Sequence, residues 1–483
     1  MPGRRLVLAA SLMATFMAAV ESTIVATAMP TIVADLGGFA LFSWVFAAYL
    51  LAMAVMIPIY GRLADIYGRK RVFYFGGTIF LIGTTLCGLA HSMVVLVAFR
   101  AVQGLGAGAI QPIAATVVGD LYTPAERARV QGYISGVFGM SAIVGPLLGA
   151  FIVEHLRWSL IFWVNLPIGA AAFVMYGLFL HERIEPREHR IDYLGAALLT
   201  IGVGAVLLAL VQAQKLGVNG TAAVLAVGAV ALFLLVLQER RAIEPIVPFR
   251  LWHNRVIALA NLGVFGTGSA MMGVSAFLPA YVHGVMGRSA TIAGLALGCQ
   301  SVSWMLATFV AGRLMIRTSY RLSAAIGGIA LLVGGTMLWL MTPTSGVALA
   351  ATGSLVMGIG MGFCNPAFLV SIQASVGWSE RGVATGSNMF MRILGQSMGA
   401  ALFGAVVNFG VAHRVPLAGD AINRLLEPSL RQGLGVGEIE RLTAAVAASL
   451  HEVYLIVMVI AVATLMVALG FPAGLRPTHT RQR

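Results

Sequence analysis

Stretches of about 20 consecutive, mostly apolar residues, the length of helix that crosses a hydrocarbon core about 30 Å thick, recur through this chain. Fourteen windows meet that test, approximately residues 6–29, 42–60, 72–91, 94–118, 130–153, 159–180, 193–213, 220–237, 256–281, 290–312, 322–341, 346–374, 383–409 and 452–472. Backbone groups in lipid must be paired within the segment, so each window reads as a helix. Only 10% of the 483 residues are charged. A water-soluble domain carries roughly 25%, so this chain has too little charge to cover a water-facing surface. The expected fold class is an all-α membrane protein with fourteen transmembrane helices.

The basic residues set the expected orientation. With the N-terminus in the cytoplasm, one side holds Arg4, Arg5, Arg62, Arg69, Lys70, Arg71, Arg127, Arg129 and most of the later arginines. The other holds Arg157, Lys215, Arg288, Arg414, Arg424, Arg431 and Arg441. The bias is roughly three to one, in the sense of the positive-inside rule, and it favours an even helix count with both termini cytoplasmic. The segment 410–451 is the one long loop, on the outer side, within which Glu438–Leu450 reads as a short surface helix. The N-terminal Arg-Arg, apolar run and Ala26-Thr27-Ala28 imitate a cleavable leader. Glu21 and Pro30 interrupt that pattern, and an internal repeat gives the segment a counterpart, so it is assigned to the fold.

The net charge of +13 does not indicate a nucleic-acid partner, because the basic residues are scattered between apolar segments rather than gathered on one face. Cys87, Cys299 and Cys364 lie far apart in apolar runs, and the nine histidines show no HxxxH or HxH spacing, so neither metal nor cofactor is expected.

The chain repeats itself at an offset of 254 residues: Gly104, Gly106, Gly108 and Pro112 match Gly358, Gly360, Gly362 and Pro366. The same offset pairs Glu126-Arg127 with Glu380-Arg381, and Gly145 with Gly399. Duplicated halves are a common build of secondary transporters, with the substrate site between them near the bilayer midplane. The expected organisation is two pseudo-symmetric six-helix bundles, 1–181 and 256–483, separated by an inserted helix pair within 182–255.

Several motifs carry a family resemblance. They are ESTIVATAMPTI (Glu21–Ile32), GRLADIYGRKR (Gly61–Arg71), LVAFRAVQGLGAG (Leu96–Gly108), GMSAIVGPLLGA (Gly139–Ala150) and LRWSLIFWVNLPIG (Leu156–Gly169). In this order and spacing the chain resembles the major facilitator superfamily, most closely its fourteen-helix drug:proton antiporter branch. That branch commonly has Asp where this chain has Glu21. The resemblance implies a conformational latch at Gly61, Asp65, Gly68 and Arg69, with Asp65 capping the start of helix 13 near Gly382–Gly386, where a helix dipole favours negative charge. It also implies an export-associated helix 5 motif at Gly145, Pro146 and Gly149. Gly139, Gly145 and Gly149 fall near one helix face and permit close backbone approach, either as ordinary packing or as a tight, kinked contact between the two halves.

Ionisable residues inside the bilayer are functional-site hypotheses. Glu21 is the one acidic residue deep within a span, and Arg100 and Arg392 are the basic ones. Glu21 lies about 22 Å along helix 1 from the inner end and Arg100 about 9 Å below the outer end of helix 4, so the two reach similar depths. The resemblance places both helices on the central cavity. A Glu21–Arg100 pair there serves either structure or proton coupling. Gln111 and Asn365, each just before a matched proline, and Gln103, near Arg100, are candidates for the cavity wall; local helix–helix hydrogen bonding accounts for them equally well.

The reading is a proton-coupled exporter of amphipathic or hydrophobic small molecules such as drugs, working by alternating access as a monomer in a bacterial plasma membrane. Its partners are the substrate, protons and the lipid bilayer. A lipid, siderophore or endogenous antibiotic is the alternative cargo. A membrane enzyme lacks its clustered His, Asp or Ser-Lys groups here, a sensor lacks a soluble domain, and no GxxxxGK[ST] supports ATP-driven transport.

Overall fold

The computed structural model describes residues 2–122, 124–180, 182, 192–242, 245, 249–376, 381–415 and 435–472. Among them, fourteen helices are long and apolar enough to cross a membrane. In chain order α1 is Pro2–Leu36, α2 Phe42–Tyr67, α3 Arg69–Gly88, α4 Met93–Leu121 and α5 Pro124–His155. Helix α6, Leu160–Phe179, is interrupted at Val164. Helices α7, Tyr193–Gln212, and α8, Leu216–Arg241, are joined through Gly217, whose φ of 66° favours a residue without a Cβ. Then follow α9 Arg255–Ala280, α10 Ala290–Arg317, α11 Tyr320–Trp339, α12 Val347–Ala374, α13 Arg381–Arg414 and α14 Val436–Leu469.

Large apolar side chains cover the outside, among them Phe75, Val94, Leu178, Phe233, Phe409 and Met466. Such a surface is unfavourable in water and suits lipid, where the helices satisfy their own backbones. Helix α8 is the most outlying, with Val227, Val230, Phe233 and Leu234 all exposed.

The sequence repeat is a repeat of packing. Gly104 and Gly108 of α4 lie against the backbone of α2 at Tyr49 and Met53, and Gly358 and Gly362 of α12 lie against α10 at Gln300 and Trp304. Between them, Gly106 faces α3 at Phe80, and Gly360 faces α11 at Leu331. A Cβ at Gly362 would come 2.6 Å from the Trp304 carbonyl oxygen, so only glycine allows this approach. The pairs α2–α4 and α3–α4 thus recur as α10–α12 and α11–α12.

Contacts between α1–α6 and α9–α14 run mainly through α2–α13 and α5–α10, with α1 also meeting α9, while the α7–α8 rod packs against α2 and α13. Two faces are conveniently distinguished: the near face, where α1 begins, and the far face, where it ends. Toward the far face, the Glu154 carboxylate at the end of α5 accepts from the Thr291 backbone N–H at 2.8 Å and from its hydroxyl at 2.7 Å, capping the start of α10. Asn408 of α13 donates to the Ala40 carbonyl at 2.9 Å, Ser397 donates to Ala47 at 3.0 Å, and the Phe42 and Phe277 rings meet.

Three expectations are corrected. The long outer loop 410–451 is shorter, because α13 continues to Arg414 and α14 begins at Val436; residues 416–434 lie outside the described residues. Glu438–Leu450 is the first part of the last helix rather than a separate surface helix. Leu442, Val446, Leu450 and Val453 are buried at helical spacing, while Glu438, Glu440 and Arg441 are exposed, so a search by mean apolarity stops short of this amphipathic turn. The helix 5 glycines do not share a face. Gly145 and Gly149 pack on α1, at Thr23 and Ile24, whereas Gly139 meets Met305 of α10. Six residues at 3.6 per turn put Gly139 and Gly145 roughly 120° apart. The contact to the other half at this level is the Pro146 carbonyl, which Gly294 of α10 approaches closely.

Candidate functional site

A cavity of about 320 Å³ lies between the two sets of helices, of a size that suits a small molecule. Helices α1, α2, α4 and α5 contribute Ala18, Glu21, Phe46, Tyr49, Arg100, Gln111 and Gly139 to its wall. Helices α9, α10 and α13 contribute Met271, Ser275, Trp304, Met305, Arg392 and Gln396.

The first-half wall is built on an ion pair. Arg100 Nη1 donates to Glu21 Oε1, so α4 and α1 are joined at one depth. Glu21 is 0% and Arg100 2% exposed, so the pair is sealed from solvent while forming part of the wall. An ionised pair this deep persists only with further partners. Asn165 Nδ2 of α6 donates to Glu21 Oε2 at 2.5 Å. Arg100 Nε donates to the Val45 carbonyl at 3.1 Å, and Nη1 also reaches Gln103 Oε1 at 2.6 Å. Gln103 Nε2 in turn donates to Thr84 Oγ1 at 3.0 Å, and Thr84 donates to the Phe162 carbonyl at 3.1 Å. The guanidinium lies 4.0 Å from the centre of the Tyr49 ring, a cation–π contact strengthened by desolvation. Five helices, α1, α2, α3, α4 and α6, thus converge on one carboxylate and one guanidinium.

Some expected wall residues sit elsewhere. Gln111 lines the cavity, but Gln103 is fully buried behind Arg100 and positions it. Asn365 accepts from the Thr267 hydroxyl at 2.8 Å, a local α9–α12 contact, and does not border the cavity. Asn165 went unrecognised in the sequence as a partner of Glu21, as did the wall positions Trp304 and Gln396. No periodicity links them to Glu21, since they arrive from other helices.

At the near face, the backbones of Gly61 and Asp65 belong to α2, Gly68 turns the chain with φ 91°, and Arg69 opens α3. The side chains of Asp65 and Arg381 lie outside the described residues. The carboxylate described there is Glu182, just beyond α6. It accepts from the backbone N–H of Arg69 at 2.9 Å and of Lys70 at 3.2 Å, and so caps α3 within the same half.

Among the described residues no group of three or more His, Cys, Asp or Glu is placed to hold a metal ion.

The pattern of the Major Facilitator Superfamily matches residues 11–400. Multidrug resistance protein 3 of Bacillus subtilis is 36% identical over 404 residues, 82% of this chain and 78% of its own. Multidrug transporter protein MdtP of the same organism is 34% identical over 409 residues, 84% of this chain and 75% of its own. An efflux pump of Gibberella moniliformis is 32% identical over 428 residues, 86% of this chain and 76% of its own. Among solved structures, a bacterial homologue of the human lysosomal transporter Spinster, inward-facing and unoccupied, shares the fold with a TM-score of 0.69 at 15% identity, covering 98% of both chains. The nucleoside transporter NupG shares it with a TM-score of 0.63 at 13% identity, covering 97% of this chain and 99% of its own. The chain belongs to the major facilitator superfamily and is a multi-pass membrane transporter, not an enzyme.

Proposed function

We propose that this transporter exports amphipathic small molecules of the drug type from a bacterial cell, in exchange for protons. The observation that carries the proposal is the setting of Glu21. It is the one acidic side chain among the residues of the cavity wall, and it is held by partners that suit both of its charge states. The Asn165 amide has a donor and an acceptor, so it donates to the carboxylate and, turned over, accepts from the carboxylic acid. A carboxylate held in this way on the wall of a cavity between the two halves is fit to take up a proton from one side and release it to the other. The similarity to multidrug resistance proteins supports export and a broad, apolar cargo range.

In this reading residues 1–181 and 256–483 are two bundles that rock about the cavity, and 182–255 is an inserted pair. The near face is cytoplasmic, as the basic residues favour. The clasp of Glu154 on α10, with Asn408 on Ala40, then closes the outer side, so the cavity is disposed toward the cytoplasm. Gly61, Asp65, Gly68 and Arg69 form the opposing inner latch, which closes in the outward-open state. The molecule acts as a monomer.

The test is uphill transport in proteoliposomes. An imposed pH gradient, with the membrane potential clamped, is expected to drive accumulation of a fluorescent drug substrate, and collapsing the gradient with nigericin is expected to abolish it. Accumulation that persists after collapse of the gradient would rule out proton exchange.

A further inference from the structure

The second-half wall of the cavity carries a cation that no group among the described residues neutralises. Arg392, on α13, lines the cavity, and among the described residues it makes no hydrogen bond and no ion pair. Its backbone carbonyl is pressed against Gly268 of α9, which fixes the helix there. Arg100, the other guanidinium of the wall, has Nη1 engaged by Glu21 and Gln103 and Nε by Val45, and its charge is paired with Glu21. Glu21, the one carboxylate of the wall, is taken by Arg100 and Asn165. With Glu21 ionised the wall therefore has one positive charge in excess, and with Glu21 protonated it has two.

An unpaired guanidinium in an apolar cavity inside a membrane is unfavourable unless a partner arrives. The surroundings specify that partner. One turn along α13, the Gln396 amide also lines the cavity, and its Nε2 faces only the weak acceptor Met271 Sδ at 3.3 Å. Guanidinium and amide N–H groups thus stand on the same turn, and both need acceptor oxygens. Around them the wall is apolar and aromatic: Phe46, Met271, Met272, Trp304 and Met305. A site for cationic drugs calls for the opposite arrangement, a free carboxylate.

We infer that the cavity selects amphipathic organic anions, with a carboxylate or sulfonate bound at Arg392 and Gln396 and an aromatic or aliphatic body against the Met271, Met272, Trp304 and Met305 surface. The inference rests on the cavity being the transport site and is independent of proton coupling. Guanidinium–oxyanion bonds are among the strongest a protein makes with a small molecule, and the planar fork matches both oxygens. Export of such an anion is electrogenic, and an inside-negative membrane potential drives it outward.

Equilibrium dialysis of the purified full chain in detergent, with detergent alone as the blank, tests this with three probes of matched ring. The probes are naphthaleneacetate, naphthaleneacetamide and naphthylmethyl-trimethylammonium. Wild type is expected to bind the acetate about tenfold tighter than the amide, and the ammonium more weakly still. Arg392→Gln is expected to remove the preference for the acetate while keeping binding of the amide, and Arg392→Lys to restore part of it. Gel filtration monitors the fold of each variant. Wild type that binds the ammonium as well as the acetate overturns the inference and leaves the cavity as a site for other substrates. A preference for the acetate that survives in monodisperse Arg392→Gln also overturns it. Wild type that binds none of the three likewise overturns the inference.

Discussion

Arg100 is fixed by a carboxylate, an amide oxygen, a backbone carbonyl and an aromatic face, and each partner comes from a different position in the chain. Removing one member of a buried charge pair leaves the other uncompensated, at about 3–5 kcal/mol. Arg100→Ala is therefore expected to lower the thermal unfolding temperature markedly, because Glu21 is left charged in an apolar wall. Adding Glu21→Gln removes that orphaned charge, so the double variant is expected to be more stable than Arg100→Ala alone. Equal or greater loss in the double variant would mean that the pair is not coupled. Asn165 permits a second comparison. Asn165→Ala removes a hydrogen bond to a charged oxygen and is expected to cost about 1–3 kcal/mol. Asn165→Asp sets a like charge beside Glu21 and is expected to impair transport more than Ala does, although Asp is closer to Asn in size. A drug-efflux assay alongside unfolding curves checks the order, and an Asp variant more active than the Ala variant contradicts it.

Among the elements, α5 and α10 are clasped at the far face. The Glu154 carboxylate sits at the N-terminus of α10, where backbone N–H groups lack partners within the helix and the dipole favours negative charge. Glu154→Gln is expected to weaken the clasp by ~0.3–1 kcal/mol, shifting the balance toward outer opening by about two- to fivefold. A cysteine at Ser43, buried at the α2–α13 contact against Gly404, reports opening between the halves through its rate of reaction with an impermeant maleimide. An unchanged rate would reduce Glu154 to local capping. The helices themselves were legible in sequence because lipid imposes a length and a composition on every one of them. The Gly104–Pro112 repeat was legible for a related reason: where backbones touch, only glycine fits, so packing leaves its mark on the chain. Partnerships across helices leave no such mark. Glu21 and Arg100 drew attention because charge is rare in a span, yet Asn165, 144 residues from Glu21, is one polar residue among many until α6 brings it there. Arg392 was visible as a cation in a span, but that it has no partner among the described residues depends on what the neighbouring helices place around it. Helix α14 was read too short because its first turns are amphipathic and fall below any apolarity threshold.

At the scale of the whole molecule, the proposed topology has both termini and the near face in the cytoplasm and the α13–α14 connection outside. A cysteine at Gly433 is expected to react with an impermeant thiol reagent in intact cells; labelling only after lysis would invert the orientation or change the helix count. In the proposed cycle one carboxylate alternates between charge states as the two halves exchange access. Glu21→Gln preserves the size and much of the hydrogen bonding of that group while removing its proton. The most direct measurement compares two activities of this variant in the same proteoliposomes: substrate counterflow without a pH gradient, and uphill accumulation driven by one. The account predicts that counterflow persists and gradient-driven accumulation is lost. Glu21→Gln protein that still accumulates substrate uphill on a pH gradient at the wild-type rate would contradict it.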